Sequence, residues 1–284
     1  MREDSDLPYD TEPTCPGIQR AQRARGEAVL SVRRNDGATR IADLRMSGSA
    51  KLLFPRNADE SLAAVFLNTA GGVTGGDAFH LTASAEAGAS LTLTTQAAER
   101  VYRALPDETG LVRTRLSCAE GATLHWLPQE TILFDGAALD RHLSIDMAGD
   151  ASLLACEVLV FGRAAMGEDV RDLRLRDRID LRRDGRLCFA DRLQLTGDAA
   201  TALRRPFVAD GARAMGSVVF AAPGAAHRLE GLRAGLPPQA GVSALHDDLV
   251  FLRATAADGF ALRGLLIPLL ARLSGAELPR PWMI

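Results

Sequence analysis

Apolar and polar side chains alternate in short runs along most of this chain. Segments such as EAVLSVRR, AFHLTASAEA and LVRTRLSCA carry apolar residues mainly at every second position, which is the period of a strand with one buried face. Turn signals, among them NDG, EAGAS, CAEGA and MAGDA, separate these runs at regular spacing. The pattern predicts a mostly β body over residues 18–198, built from many short strands.

The pattern changes after Ala199. In GFALRGLLIPLLARLSG, residues from Phe260 to Leu270 recur at intervals of three and four, which indicates a helix that Pro268 either kinks or begins. The preceding segment SALHDDLVFLRATA predicts one strand. We therefore expect residues 199–284 to form a small C-terminal α/β portion packed on the β body.

The N-terminal segment has a different composition. Residues 1–17 combine five acidic residues with three prolines, which predicts disorder, and we exclude them from the fold. They contain no apolar stretch, and the four cysteines show no close pairing. GLLIPLLARLSG is interrupted by Arg272 and is shorter than the roughly 20 residues of a membrane helix. We expect a cytoplasmic protein with no membrane segment.

The alternation also indicates which side chains face inward. In LRLRDRIDL, Leu173 and Leu181 share one face with other apolar residues, while the arginines lie mainly on the other. Asp177 falls on the apolar face. We favour a strand end or bulge that turns it outward, the alternative being a buried acid with a partner. Glu157 lies within an apolar strand and is predicted to have a structural partner.

The glycine-rich segment LNTAGGVTGGD, residues 67–77, partly resembles a phosphate-binding loop. Gly71 and Gly76 have the spacing of a P-loop, but Asp77 stands where that motif needs lysine, and a strand-like segment follows. A carboxylate there would repel phosphate, so nucleotide binding is excluded. The glycines permit a tight turn with positive φ, and Asp77 suggests a further role for the loop.

Other catalytic patterns and a nucleic-acid role are also unsupported. No G-x-S-x-G, H-x-x-x-H or H-E-x-x-H occurs. The net charge is −3 and the basic residues are spread along the sequence, which gives no concentrated positive face for nucleic acid. Two carboxylates of a glycosidase can meet only in the fold. A strand-wound carbohydrate-active enzyme with a carboxylate site therefore stays open as the alternative function.

Several segments, taken in order, resemble one known family, that of the urease accessory protein UreD, called UreH in some organisms. They are KLLFPR (51–56), LNTAGGVTGGD (67–77), TTQAAERVYR (94–103), LHWLPQETILFDGA (124–137), EVLVFGRAAMGE (157–168) and LPRPW (278–282). The resemblance implies a mostly β fold with a β-helix-like winding of short strands and no catalytic activity. It also implies a scaffold that binds urease apoprotein and UreF, contacts the GTPase UreG through the complex, and helps to deliver nickel to urease.

The family resemblance further implies an internal nickel passage. Four of the acidic residues within the matching segments are the expected contacts of nickel in transit, namely Asp77, Glu130, Asp135 and Glu168. Carboxylates bind a divalent ion weakly enough for it to leave, whereas thiolate or imidazole clusters would retain it. No permanent cofactor is expected. The alternatives are that these acids only satisfy backbone amides in turns, or that the protein is an interaction module without metal transit.

The same resemblance suggests partner-binding residues. Within TTQAAERVYR, Arg100, Tyr102 and Arg103 are expected either to line the passage or to contact a partner. We favour partner contact or salt bridges for the two arginines, because a basic residue is unexpected inside a cation route. The apolar C-terminal helix and the closing PRPW are expected to offer a surface for UreF that includes Leu265, Leu269 and Trp282. The alternative is that this helix covers the chain's own β body.

Overall fold

The computed structural model describes residues 22–56 and 60–283. The predicted disordered segment 1–17 lies outside them. The strands are β1 Arg25–Asn35, β2 Ala38–Gly48, β3 Ala50–Leu53, β4 Leu62–Asn68, β5 Ala78–Ala85, β6 Ser90–Thr95, β7 Glu99–Val101, β8 Gly110–Cys118, β9 Thr123–Leu127, β10 Thr131–Leu133, β11 Ala138–Met147, β12 Ser152–Phe161, β13 Leu173–Arg183, β14 Arg186–Gly197, β15 Ala214–Ala221, β16 Ala240–His246 and β17 Leu249–Ala256. The α-helices are α1 Ala199–Leu203, α2 Leu229–Arg233 and α3 Gly259–Ser274, and short 3₁₀ turns span Ala164–Met166, Ala225–Arg228 and Arg280–Met283.

Two stacked sheets form the molecule. The first has seven strands in the order β14-β13-β11-β8-β5-β1-β2. The second has ten: eight in the order β16-β17-β15-β12-β9-β6-β4-β3, with β10 beside β12 and β7 beside β10. The chain passes from one sheet to the other and back, so that β4, β6, β9 and β12 pair in parallel in one sheet and β5, β8, β11 and β13 in the other. This is the predicted solenoid-like winding, and the mostly β fold is confirmed.

The period-two pattern fills the space between the sheets. Leu30, Leu91, Leu124 and Ile145 come from four strands, two in each sheet, and are fully buried in one cluster between the two sheets. Burying each such side chain stabilises the fold by about 1.5–3 kcal/mol before the entropy of ordering is counted. The inward residues of successive coils therefore make a large apolar cluster between the sheets.

The C-terminal portion extends the ten-stranded sheet. β15 pairs antiparallel with β12, and β17 and β16 follow it, so the sheet is continuous across the predicted division at residue 198, and separate domains stay a prediction. SALHDDLVFLRATA forms two strands, so the single predicted strand was wrong. Asp247 and Asp248 form the turn between them, where Oδ1 of Asp248 accepts a hydrogen bond from the Gly224 amide at 2.7 Å.

Helix α3 packs on the outer face of the ten-stranded sheet. Asp258 caps its N-terminus by accepting a hydrogen bond from the Ala261 amide at 2.8 Å, and Pro268 lies inside the helix. The predicted helix is thus confirmed. Its leucines join apolar side chains of β12, β15 and β17 in a second core cluster. None of the helices described in residues 22–56 and 60–283 combines the length and apolarity needed to cross a bilayer.

Candidate functional site

The glycine-rich loop is held by its own backbone and by Asp77. The Asp77 side chain is buried, and its two carboxylate oxygens accept hydrogen bonds from the Ala24 amide at 2.7 Å and the Thr74 amide at 2.9 Å. The Val73 amide donates to the Arg100 carbonyl at 2.8 Å. These amides donate hydrogen bonds within the protein, so they are not available to bind a phosphate, which agrees with the sequence analysis. The Asp77 carboxylate fixes the turn.

Gly72 explains why the loop needs glycine. Its φ is +151°, and a Cβ at this position would overlap the Tyr102 ring and the Arg100 carbonyl. Any other residue would have both a strained backbone and a clash. The loop thereby packs directly against the segment that carries Glu99 to Arg103. The two motifs LNTAGGVTGGD and TTQAAERVYR together form one wall of the protein interior.

An interior cavity lies behind this wall, between the two sheets. It has a volume of about 70 Å³, enough for a few water molecules. Its polar lining includes Thr95, Glu99, Thr114, Gln129, Thr131, Arg141 and Glu157, and apolar residues such as Phe66 and Val101 complete it. Nε2 of Gln129 is buried and has no acceptor among the described residues, so the cavity offers a donor to water or to a ligand oxygen.

Glu99 is the partly buried carboxylate at the loop side of the cavity. Burial raises its pKa to about 7, against the hydrogen bonds that Asn68 Nδ2 donates to both carboxylate oxygens at 3.2 and 3.3 Å, and nearby Asp77 adds to the rise. Near neutral pH this carboxyl group is therefore divided between its protonated and ionised forms. It can exchange a proton for a cation without a large change in local charge.

A buried ionic network closes the opposite side of the cavity. Arg141 forms a bidentate pair with Asp177, at 2.9 and 2.8 Å, and contacts Glu157 at 2.6 Å. Trp126 Nε1 also donates to Glu157 at 2.8 Å, which confirms the predicted structural partner for Glu157. Burial raises the pKa of Glu157, while Arg141 opposes the shift. The network joins β11 and β13 of one sheet to β12 of the other.

Asp177 is not turned outward, so the favoured prediction for it was wrong. It lies in the middle of β13, directly opposite Arg141 in the register of β11, and it is 9% exposed. A strand places this side chain inside, and the bidentate arginine compensates its buried charge. The alternative, a buried acid with a partner, is the one observed.

Asp135 and Glu168 meet in a basin on the surface. Asp135 accepts hydrogen bonds from the Arg171 and Asp172 amides and from Arg103, and these outweigh partial burial and lower its pKa. Hydrogen bonds from Arg163 lower the pKa of Glu168, whose Oε1 also accepts from the Asp135 amide at 3.2 Å. Both acids are thus ionised and already engaged in hydrogen bonds.

The remaining predicted residues in this part of the molecule differ in exposure. Glu130 is partly exposed, its nearest cation being Arg263 at 3.7 Å, and it follows the cavity residue Gln129. Arg103 forms a salt bridge with Asp135 at 2.6 Å, and Tyr102 packs edge-on against Phe134 at 5.2 Å between ring centres. The Arg100 side chain is exposed. Asp77, Glu130, Asp135 and Glu168 do not converge on one point, and no three potential ligands among the described residues form a metal cluster.

The C-terminal residues predicted to bind a partner are mostly covered by the chain itself. Leu269 is 8% exposed and Trp282 is 2% exposed, both within the second core cluster, and the Trp282 indole donates to the Leu127 carbonyl at 2.8 Å. Leu265 is partly buried against the same cluster. The expected exposed apolar face is thus not formed by Leu269 and Trp282, because α3 uses this side to cover the sheet.

Sequence reasoning missed two residues of the cavity. Glu99 lies inside a segment that the sequence singles out. Its burial depends on the packing of the loop at Gly72 against this segment, which the sequence does not show. Arg141 follows Asp140 in an alternating strand, and its inward position could have been inferred from the phase of β11. Its partners, Glu157 and Asp177, lie 16 and 36 residues away in the sequence and could not have been inferred.

Comparisons with known proteins agree over nearly the whole chain. The family described as UreD urease accessory protein matches residues 24–283. The urease accessory protein UreD of Ruegeria pomeroyi is 53% identical over 241 residues, which cover 85% of this chain and 94% of that protein. UreD of Roseobacter denitrificans is 49% identical over 262 residues, covering 92% and 96%, and UreD of Ruegeria sp. is 48% identical over 285 residues, covering 96% of each.

Proposed function

This chain belongs to the UreD family of urease accessory proteins and has a role in urease maturation, and we propose that within this role it is a non-catalytic scaffold for nickel delivery. In this proposal it binds urease apoprotein and UreF, and contacts UreG through the resulting complex. Nickel is cargo that passes through and is not a resident cofactor. A cytoplasmic location is part of the same proposal.

The single observation that supports a passage best is the polar cavity between the sheets. The oxygen atoms in its lining that could bind a metal ion include the carboxylates of Glu99 and Glu157 and the hydroxyls of Thr95, Thr114 and Thr131. Oxygen ligands hold divalent nickel less tightly than thiolates or imidazoles do, so an ion bound there can leave. Because the pKa of Glu99 is about 7, arrival of a cation releases a proton from part of the population, and departure takes one up.

The four acids named from the sequence remain proposals with different roles. Glu130 is the least engaged of the four and adjoins Gln129, which suits a first contact at the cavity. Asp135 and Glu168 are salt-bridged in the basin, so nickel would have to displace Arg103 or Arg163 to reach them. Asp77 acts on the passage through its charge beside Glu99 and through the loop that it fixes.

The carbohydrate-active alternative is not favoured by the geometry. Small-molecule sites begin at roughly 300 Å³, and the cavity between the sheets has about 70 Å³. The surface basin has about 500 Å³, but its two acids, Asp135 and Glu168, are salt-bridged to Arg103 and Arg163. The two neighbouring buried acids, Glu157 and Asp177, are both bound to Arg141, which leaves neither free to act as the nucleophile or the general acid. A non-catalytic role agrees better with this arrangement.

A variant that fills the cavity tests the proposal. Thr114 is buried and lines the cavity. Thr114→Leu adds volume there, whereas Thr114→Val keeps the shape, and we expect only the leucine variant to lower the nickel content of urease when nickel is limiting. The measurement is metal analysis of urease co-expressed with the accessory proteins, with recovery of the complex as the control for folding. Nickel loading at the wild-type level by the leucine variant, with the complex intact, would show that nickel does not pass through this cavity.

A further inference from the structure

The fold gathers arginines that are dispersed in the sequence onto one face. A row across five neighbouring strands of the seven-stranded sheet consists of His80, Arg113, His142, Arg178 and Arg192. The two adjacent rows on the same face add Arg115 and Arg176, and the row beyond Arg176 adds Arg174. Strands lie about 4.8 Å apart, so the row extends roughly 20 Å. We name these eight residues the arginine face.

The side chains of the arginine face point away from the core. The residues that alternate with them on β11 and β13, such as Arg141, Leu143 and Ile179, are buried between the sheets. By contrast, the side chains of Arg176 and Arg192 are 59% and 49% exposed, and Arg115 is exposed as well. The sequence-level conclusion that the basic residues make no concentrated positive face is thus corrected, since the period of two concentrates them.

Two aspartates hold part of this face in place. Asp140 contacts Arg178 at 2.8 Å and Arg113 at 3.0 Å, with Arg176 at 4.0 Å, and Asp180 contacts His142 at 2.8 Å and also Arg192. Six arginines are therefore set against these two aspartates, and the exposed Glu27 of β1 lies beside His80 at the end of the row. Arginines that are already ordered lose less entropy when they bind a partner. The face is positive, and Arg113, Arg178 and Arg192 are pre-organised.

The two sheets differ in what covers them. α3 and α2 pack against strands of the ten-stranded sheet, and their apolar residues complete the second core cluster. The outer side of the seven-stranded sheet instead presents the exposed arginines. The outer side of the seven-stranded sheet is therefore basic, although the whole chain has a net charge of −3.

We infer that the arginine face is a docking surface for the acidic surface of a partner protein, with Arg115 and Arg176 as its outermost contacts. The inference rests on the proposed scaffold role, in which the chain must bind other proteins. Arginine is enriched in protein interfaces and pairs with carboxylates through two parallel hydrogen bonds. Asp140 and Asp180 lie among the arginines, where they would repel a close row of phosphates, so a protein carboxylate surface fits better than nucleic acid.

The test compares two double charge reversals with the same change in charge. Arg115→Glu/Arg176→Glu alters the arginine face, and Arg56→Glu/Arg205→Glu alters exposed arginines that lie off it. Arg115→Gln/Arg176→Gln removes charge without reversing it and guards against misfolding, which circular dichroism also checks. Each protein is titrated with urease apoprotein, with UreF and UreG together, and with a DNA duplex, at about 50 and about 500 mM NaCl.

We expect the reversal on the arginine face to raise the Kd for one of the protein partners at least about tenfold at low salt, and the glutamine pair to have a smaller effect. The control reversal should change the Kd by less than about twofold, and high salt should remove the difference. If wild type binds its partners and the face variants bind them equally well, the inference falls and the scaffold role stands. Loss of DNA binding alone would also overturn it, and a wild type that binds no partner would overturn both proposals.

Discussion

At the scale of single residues, the sequence pattern located side chains better than it assigned their partners. The alternation placed Asp177 on the apolar face, which is correct, but the expected bulge was wrong because Arg141 compensates the buried charge from β11. Glu157 was expected to have a partner and has two, Arg141 and Trp126. Pairing across strands depends on register, and residues 16 or 36 positions apart in sequence give no local signal for it.

Glu99 makes the stability of the protein depend on pH. Its pKa is about 4.5 when unfolded and about 7 when folded, so between these values the folded protein binds more protons and wild-type stability falls as pH rises. Glu99→Gln removes this loss. We expect the stability of the variant relative to wild type to increase by about 2–3 kcal/mol from pH 5 to pH 8, measured by urea unfolding. A relative stability that does not change with pH would contradict the assigned environment of Glu99.

At the scale of elements, regular patterns were predictable and turns made by polar side chains were less so. The three- and four-residue spacing before Leu270 predicted α3, and the structure confirms it. The hairpin of β16 and β17 was taken as one strand, because HDD lacks the glycine that usually marks such turns. The side of α3 that faces the sheet was also hard to assign, because the helix is apolar almost all round.

Trp282 fixes the end of the chain to the ten-stranded sheet. Its ring is buried, its indole donates to the Leu127 carbonyl at 2.8 Å, and Arg263 lies 5.3 Å from the ring centre. We expect Trp282→Ala to lower the free energy of unfolding by about 3–5 kcal/mol. The neighbouring Met283, 66% exposed, provides the control, since Met283→Ala should change it by less than about 0.5 kcal/mol. Thermal unfolding that shows equal effects would mean that the chain terminus is not packed in this way.

At the scale of the whole molecule, the solenoid creates what the sequence could not show. Winding between two sheets brings the loop at Asp77, the strand end at Glu99 and the network at Arg141 around one cavity, and it turns scattered arginines into one face. The mostly β body followed from periodicity, and the winding followed from the family resemblance. The cavity and the arginine face are products of register and stacking, which need the complete fold.

The proposed scaffold role predicts that urease cannot mature without this chain. Urease apoprotein, UreF and UreG would be co-expressed with and without it at limiting nickel, and the nickel content and activity of the purified urease measured. We expect nickel-loaded, active urease only when the chain is present, and an intact but nickel-poor apoprotein when it is absent. Equal nickel content and activity in both preparations would contradict the central claim that this protein takes part in nickel delivery.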